Sequence, residues 1–455
     1  MYVRKFIFLL LLSVLMCFGC VRQYNAQINQ PDEIQIKSIS EQTNKFTAES
    51  ISISEPNEVL ILRDVLSLTL IHNPELKAFS LETRAAQARQ LQAGLWPNPE
   101  IELEIEELGG QGDRRGFDAA ETTVQLSQLI ELGDKSQKRK AVASFEKELA
   151  DLDYQSKRLE IFCEATKAFI VVLKAQEKLR LSNDLLKLAE ESLDTVKKIV
   201  DAGKDSPVEV TRASIALANI RISHSQAQRE LEYSRKQLSS FWGQDEPHFE
   251  KASGDFESIE KLPESGDLTN QLKQNPEYVR WEAEVKKNQA QLTLEKSRVI
   301  NDVTIGAGIQ RFNETDDNSF VLGVSIPLPV SNRNQGARQE AVYNLAKSKE
   351  YQKAAWLKLQ NELNEAYREF VNSYTQAISL KNEILPAAIE MFNASTTAYR
   401  EGKVDYLHLL DAQQTFFDVK GQYIESLANY HKARTDIERL TGKRIETTNF
   451  SESEQ

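Results

Sequence analysis

The residues of this chain best placed to act on a solute are carboxylates, and they are spaced for a strand. Glu102, Glu104 and Glu106 alternate with Ile101, Leu103 and Ile105, a period of two that sends acids to one face and apolar side chains to the other. Such a ladder makes no bonds; it lays a row of negative charge along one face of the strand. Residue sets that make or break bonds are missing from the sequence. His72, His224, His248, His408 and His431 are scattered, and no His-x-x-x-His or Cys-x-x-Cys spacing supplies metal ligands. Gly109-Gly110-Gln111-Gly112 lacks the Lys-Ser/Thr that a phosphate loop requires. No motif supports an enzyme, and no cofactor is expected.

Around these residues the chain has 455 positions and a net charge of −12. A nucleic-acid partner needs a basic face, so none is expected. Beyond the N-terminus no apolar run reaches the ~18 residues of a membrane helix. Any membrane crossing therefore falls to strands. Arg4 and Lys5 precede the apolar run Phe6 to Phe18, followed by Gly19-Cys20, which reads as an export signal over residues 1–19. It resembles a bacterial lipoprotein signal with Cys20 as the acylated residue, although Cys17 stands where that signal usually has Leu. The alternative is an ordinary signal cleaved near Ala26. Cys163 lies on an apolar helical seam and reads as a small core residue. Met391 is the one methionine left after export, so no thioether relay for soft metals is available.

The elements that position the acids occur twice. Asn73-Pro74-Glu75 and Asn275-Pro276-Glu277 each open a helical run leading to two alternating strands and a very long helix, an internal duplication. Residues 20–58 read as a polar arm, 59–243 as the first repeat and 244–267 as a linker. Residues 268–441 read as the second repeat and 442–455 as a tail. A helix is expected from Val59 to Leu91, ending at Trp96-Pro97-Asn98-Pro99 because proline cannot continue it. Strands are expected at about 99–107, 121–131, 302–312 and 319–328, each long enough to cross a bilayer when tilted. Four strands cannot close a barrel, for which about eight is the minimum. Unpaired backbone cannot remain in lipid, so several chains must share one barrel. Long helices are expected at about 135–201 and 335–400, with apolar residues spaced alternately by four and three as in coiled coils. Each ends at a turn, at about 202–207 and 400–406, with glycine at the helix stop and Ser206 or Asp405 capping the return helix.

At this point the chain resembles the TolC-like outer-membrane efflux ducts, and within them the heavy-metal branch. The resemblance covers about residues 59–441. It rests on both Asn-Pro-Glu segments, Trp96-Pro97-Asn98-Pro99-Glu100, Ile130-Glu131-Leu132-Gly133-Asp134-Lys135, and Ile326-Pro327-Leu328-Pro329 with Asn332-Arg333-Asn334-Gln335-Gly336. It implies a mainly α fold with a small β part: a homotrimer whose twelve strands form an outer-membrane barrel continued by a periplasmic helical barrel. Glu102, Glu104 and Glu106 are then expected to line the lumen, because the lipid face must be apolar. The resemblance also implies a periplasmic adaptor and an inner-membrane pump of the RND type, which would make the choice of metal. It places Gly203, Lys204, Gly402 and Lys403 at the adaptor-contact tips. Tyr399, His408, Asp411 and Glu209 fall at pore or gate positions. His408 replaces an acidic ring residue and Val404 a gate arginine.

The leading reading is thus a passive duct in the outer membrane. The same duct serving organic toxicants or a secreted protein is the alternative within transport. A periplasmic coiled-coil adaptor is a third reading, disfavoured because adaptors carry one helical hairpin flanked by β domains.

Overall fold

A computed structural model describes residues 55–260 and 265–442 of the chain. Cys20, the export signal and most of the polar arm and tail lie outside the described residues. The first repeat contains β1 (Val59–Ile61), α1 (Leu62–His72), α2 (Pro74–Ala93), β2 (Glu100–Glu106), β3 (Glu121–Ile130), α3 (Lys135–Asp201) and α4 (Pro207–Ser239). After β4 (Lys251–Ser253), the second repeat contains α5 (Ser265–Gln271), α6 (Pro276–Ser297), β5 (Val303–Phe312) and β6 (Asp317–Ser325). It closes with α7 (Gln335–Ser379), α8 (Leu385–Arg400) and α9 (Tyr406–Thr441).

The 67 residues of α3 reach roughly 100 Å at 1.5 Å per residue. Its middle is buried on more than one stripe. Ile161, Ala165, Phe169 and Val172 are inside as well as the expected seam residues Cys163, Thr166, Ile170 and Leu173. Alanines at 165, 168 and 175 leave the room that lets α3 meet several neighbours there. In the second repeat a π-helical turn at Leu380–Ile384 separates α7 from α8. Pro386 accounts for it: the proline has no N–H, and its ring would collide with the carbonyl four residues back, so the helix takes up an extra residue.

The Asn-Pro pairs do more than start helices. Asn73 Oδ1 accepts from the Leu76 N–H at 3.0 Å, while its Nδ2 donates to the Phe241 carbonyl at 2.9 Å. Asn275 repeats the arrangement, accepting from the Glu277 N–H at 2.8 Å and donating to the Leu440 carbonyl at 2.9 Å. One amide thus caps α2 or α6 and ties it to the end of that repeat's return helix. The same tie is made twice, once in each repeat.

Several boundaries differ from the sequence-based expectation. Val59 belongs to a strand, not to the first helix. Val59–Ile61 pairs in parallel with Lys251–Ser253, so the segment read as a linker contributes a strand. Helix formation begins at Leu62 and breaks at Asn73, because Pro74 excludes the helical conformation from the residue before it. Glu55, in the segment read as a polar arm, is buried. Its carboxylate accepts from the backbone N–H groups of His248 at 2.7 Å and Phe249 at 3.0 Å, and from Trp242 Nε1 at 3.1 Å. The fourth strand of the sheet ends at Ser325 rather than near 328, since Pro327 and Pro329 have no N–H to extend a ladder.

The four long strands form one antiparallel sheet in the order β2-β3-β5-β6. Both of its edges, β2 and β6, are unpaired among the described residues of the chain.

Candidate functional site

The sheet register decides what shares a face with the acids. Glu102 lies in one row with Gln125, Gly308 and Val321. Glu104 aligns with Thr123, Gln310 and Ser319, and Glu106 with Glu121, Phe312 and Asp317. The intervening rows are Ile101-Leu126-Ala307-Leu322 and Leu103-Val124-Ile309-Phe320. One face is therefore largely apolar, and the other carries Glu100, Glu102, Glu104, Glu106, Glu121 and Asp317. Among the described strand residues, no Lys, Arg or His shares that acidic face. Arg311 falls on the opposite parity and pairs with Asp316. All residues of β2 are exposed.

Two residues on this face escaped the sequence reading. Glu121 joins the acids only through register, accepting from Gln310 Nε2 at 2.7 Å. Gln125 lies flat over a glycine patch. A Cβ on Gly306 would stand 2.0 Å from Gln125 Nε2, and one on Gly308 would stand 2.5 Å from the Val124 carbonyl oxygen. At Gly308 the obstacle is backbone, so glycine is required there; at Gly306 it is the Gln125 side chain, which would have to move. The alternation of β5 hinted at this, but which side chain fills the space depends on strand pairing.

The helical tips are the second group. Ala202 and Glu401 end their helices identically: Gly203 and Gly402 take φ of +73°, and Lys204 N–H and Lys403 N–H donate to the Ile199 and Ala398 carbonyls. This double-bonded stop is the Schellman geometry that glycine favours. Lys204 and Lys403 are exposed beyond it. Ser206 Oγ accepts from the Val208 N–H, and Asp405 Oδ1 accepts from the His408 N–H at 3.0 Å. The two hairpins meet through Val196, Ala213, Tyr399, Tyr406 and Leu409, with Val404 packed alongside.

The residues placed at gate positions divide into two groups. Tyr399 is only 4 % exposed, packed 5.8 Å from the Tyr406 ring. Its hydroxyl is buried without a hydrogen-bond partner. Burial, reinforced by the charges of Asp205 and Glu209, pushes that phenol up to about 12. Glu209 makes two bonds to Arg212 Nη1, at 3.0 and 2.9 Å, so its charge is answered on its own helix. His408 and Asp411 instead lie exposed on α9, on one side with Gln414 and Asp418. His408 Nδ1 bonds Asp405 Oδ1 at 2.8 Å; this bond and the backbone N–H hold the Asp405 carboxyl below its usual range. Tips and acidic face lie at opposite ends of α3, and the structure does not bring them together.

Among the described residues no helix is long and apolar enough to cross a membrane, and no group of three His, Cys, Asp or Glu is placed to hold a metal ion. Cys163 is buried, as its seam position suggested, and burial pushes its thiol up to about 12.

Comparison with known proteins agrees with this architecture. The outer membrane efflux protein family matches twice, over residues 65–244 and 268–443, which are the two repeats. The cobalt-zinc-cadmium resistance protein CzcC of Cupriavidus metallidurans is 32 % identical over 384 residues, covering 84 % of this chain and 90 % of the relative. The nickel and cobalt resistance protein CnrC of the same organism is 25 % identical, covering 65 % of this chain and 70 % of its own length. In fold the chain is similar to the outer membrane protein VceC of Vibrio cholerae, with a TM-score of 0.68 at 15 % identity over 84 % of this chain and 96 % of that one. The chain belongs to the outer membrane efflux protein family, whose duct architecture its two repeats build.

Proposed function

We propose that three copies of this chain form an outer-membrane duct that passes divalent heavy-metal cations from periplasm to exterior. Closure requires more than one copy, and the resemblance to the efflux ducts sets the number at three. Each chain offers four strands and two open edges, lipid tolerates no open edge, and three chains supply twelve strands. The observation that carries the cation reading is the acidic sheet face without a basic side chain. Turned inward around a lumen, three such faces raise the local concentration of cations and repel anions. The names of the relatives, which confer resistance to cobalt, zinc, cadmium and nickel, point to the same cargo. An RND-type inner-membrane pump supplies the driving force, and its periplasmic adaptor docks on the tips around Gly203, Lys204, Gly402 and Lys403. Tyr399 and Glu209 act as gate residues inside the tip, and His408 and Asp411 face the pore. Acylation of Cys20 adds a lipid anchor.

Reversal potentials across a planar bilayer under a salt gradient test the reading. The intact protein is expected to favour cations, and E102Q/E104Q/E106Q to lose most of that preference. An anion-selective channel, or a preference unchanged by the triple substitution, would overturn it.

A further inference from the structure

The apolar face of the sheet does not stop where the sheet stops. Along β6, Phe320, Leu322 and Val324 point away from the acids, and the alternation continues past the last ladder bond through Ile326, Leu328 and Val330. These three are 55 %, 79 % and 76 % exposed, outside any strand and beyond the last ladder pair. Pro327 and Pro329 stand between them, so the segment cannot donate to a neighbouring strand at those positions. At the opposite edge of the sheet, on the same helix-facing end, Leu95 and Trp96 precede β2 and are 50 % and 70 % exposed. Here too prolines intervene, at 97 and 99.

These segments are held in place. Gln128 Nε2 donates to the Pro97 carbonyl at 3.0 Å, Asn301 Nδ2 donates to the Pro327 carbonyl, and Arg139 Nη2 donates to the Leu95 carbonyl at 3.3 Å. Two cations stand beside them. The Lys140 stem passes Gly94, with its Cδ 3.3 Å from where a Cβ would be. Arg333 Nε donates to the Pro329 carbonyl at 3.2 Å. Both are exposed, and neither forms an ion pair among the described residues.

From this juxtaposition we infer that Leu95, Trp96, Ile326, Leu328 and Val330 form an apolar hem that sits in the periplasm-facing leaflet of the outer membrane, with Lys140 and Arg333 on phospholipid phosphates. The occupant follows from continuity. The hem prolongs the one face of the sheet that must meet lipid, and it ends in an indole and two unpaired cations, the side chains that settle at a headgroup boundary. The inference rests on the sheet crossing the membrane. It adds that the chain grips the bilayer below its last hydrogen-bonded strand residue, where the backbone is no longer part of a ladder.

The test uses the full-length protein in vesicles of phosphatidylethanolamine and phosphatidylglycerol whose acyl chains are brominated either near the headgroup or near the methyl end. Trp242 is buried, and Trp281 and Trp356 pack against Tyr351 and Tyr278, so Trp96 is the tryptophan expected to respond. Quenching should be strongest with bromine near the headgroup, and W96F should remove most of it. K140E/R333E should shift the Trp96 emission to the red, as the indole moves toward water; an unshifted maximum would overturn the phosphate contact. Trp96 quenched by aqueous acrylamide but not by bromine would refute the hem. So would protection from both reagents, which would mean that a second copy of the chain covers it. F320W on the W96F background keeps the two readings distinct: if it is quenched while Trp96 is not, the hem fails and the membrane-spanning sheet stands.

Discussion

Asn275 concentrates three bonds in one buried amide, the weakest of them to the Arg439 carbonyl at 3.4 Å, so its replacement has a calculable cost. In Asn275→Ala the Glu277 N–H loses its cap, worth about 1 kcal/mol. The Leu440 carbonyl, now buried beside a methyl group, loses its donor at a further cost of about 1–3 kcal/mol. Together the end of α9 and the start of α6 should open more easily by about 2–4 kcal/mol, since each interaction is removed rather than replaced. Global melting of a membrane oligomer is often irreversible, so the suitable assay is hydrogen exchange followed by mass spectrometry. It reads local opening directly. Peptides covering residues 272–281 and 436–442 should exchange roughly 30- to 800-fold faster in the variant, at about 1.36 kcal/mol per decade. Asn275→Asp separates the contributions: it keeps the acceptor for Glu277 but sets a carboxylate against the Leu440 carbonyl, so the second peptide should suffer more than the first. Exchange within twofold of the natural protein in both peptides would refute the idea that this amide ties the repeat shut.

Other predictions follow from single groups. Glu55→Ala leaves the backbone N–H groups of His248 and Phe249 without their acceptor, while the Trp242 indole keeps Gln244 Oε1; exchange at residues 59–61 should rise roughly 100-fold, as about 3 kcal/mol of charge-assisted bonding is lost. His431 is half-buried against Phe256 and Tyr430, donating Nε2–H to the Phe256 carbonyl, and the loss of hydration there lowers its pKa. The stabilisation this gives is complete above the ordinary imidazole value of about 6.5 and is lost as pH falls below it. Compared at one fixed scan rate, the apparent thermal midpoint should therefore fall between pH 7.5 and pH 5.5 (values chosen to lie about one unit either side), and less steeply in His431→Gln. The Cys163 thiol, buried and pushed up to about 12, should resist maleimide until the protein is unfolded; prompt labelling of the native protein would contradict its burial.

Much of the fold was legible because its signals are local. Period-two alternation marked the strands of both repeats, and glycines at 203 and 402 marked the helix stops. The duplicated Asn-Pro-Glu marked the repeats. What stayed hidden depended on distant partners. Glu55 looked like part of a polar arm because its three donors lie almost 200 positions away. Lys251–Ser253 is too short to carry a period, and it becomes a strand only when Val59–Ile61 lies beside it. The π turn at Leu380–Ile384 had a signal in Pro386, but a coiled-coil stride runs straight through it. At the candidate site, the acids of β2 were readable one strand at a time. Glu121 and Gln125 join them only through register, and the difference between buried Tyr399 and exposed Asp411 is set by packing between the two hairpins.

The central claim is that this duct serves metal cations, and growth of a deletion strain tests it most directly. The strain would be challenged with cobalt, zinc, cadmium, nickel, monovalent copper and silver, dyes and detergents, with and without the chain restored. Sensitivity confined to metal ions and cured by the chain is the predicted result. Sensitivity to dyes or detergents alone would leave the duct standing but contradict its assignment to metals.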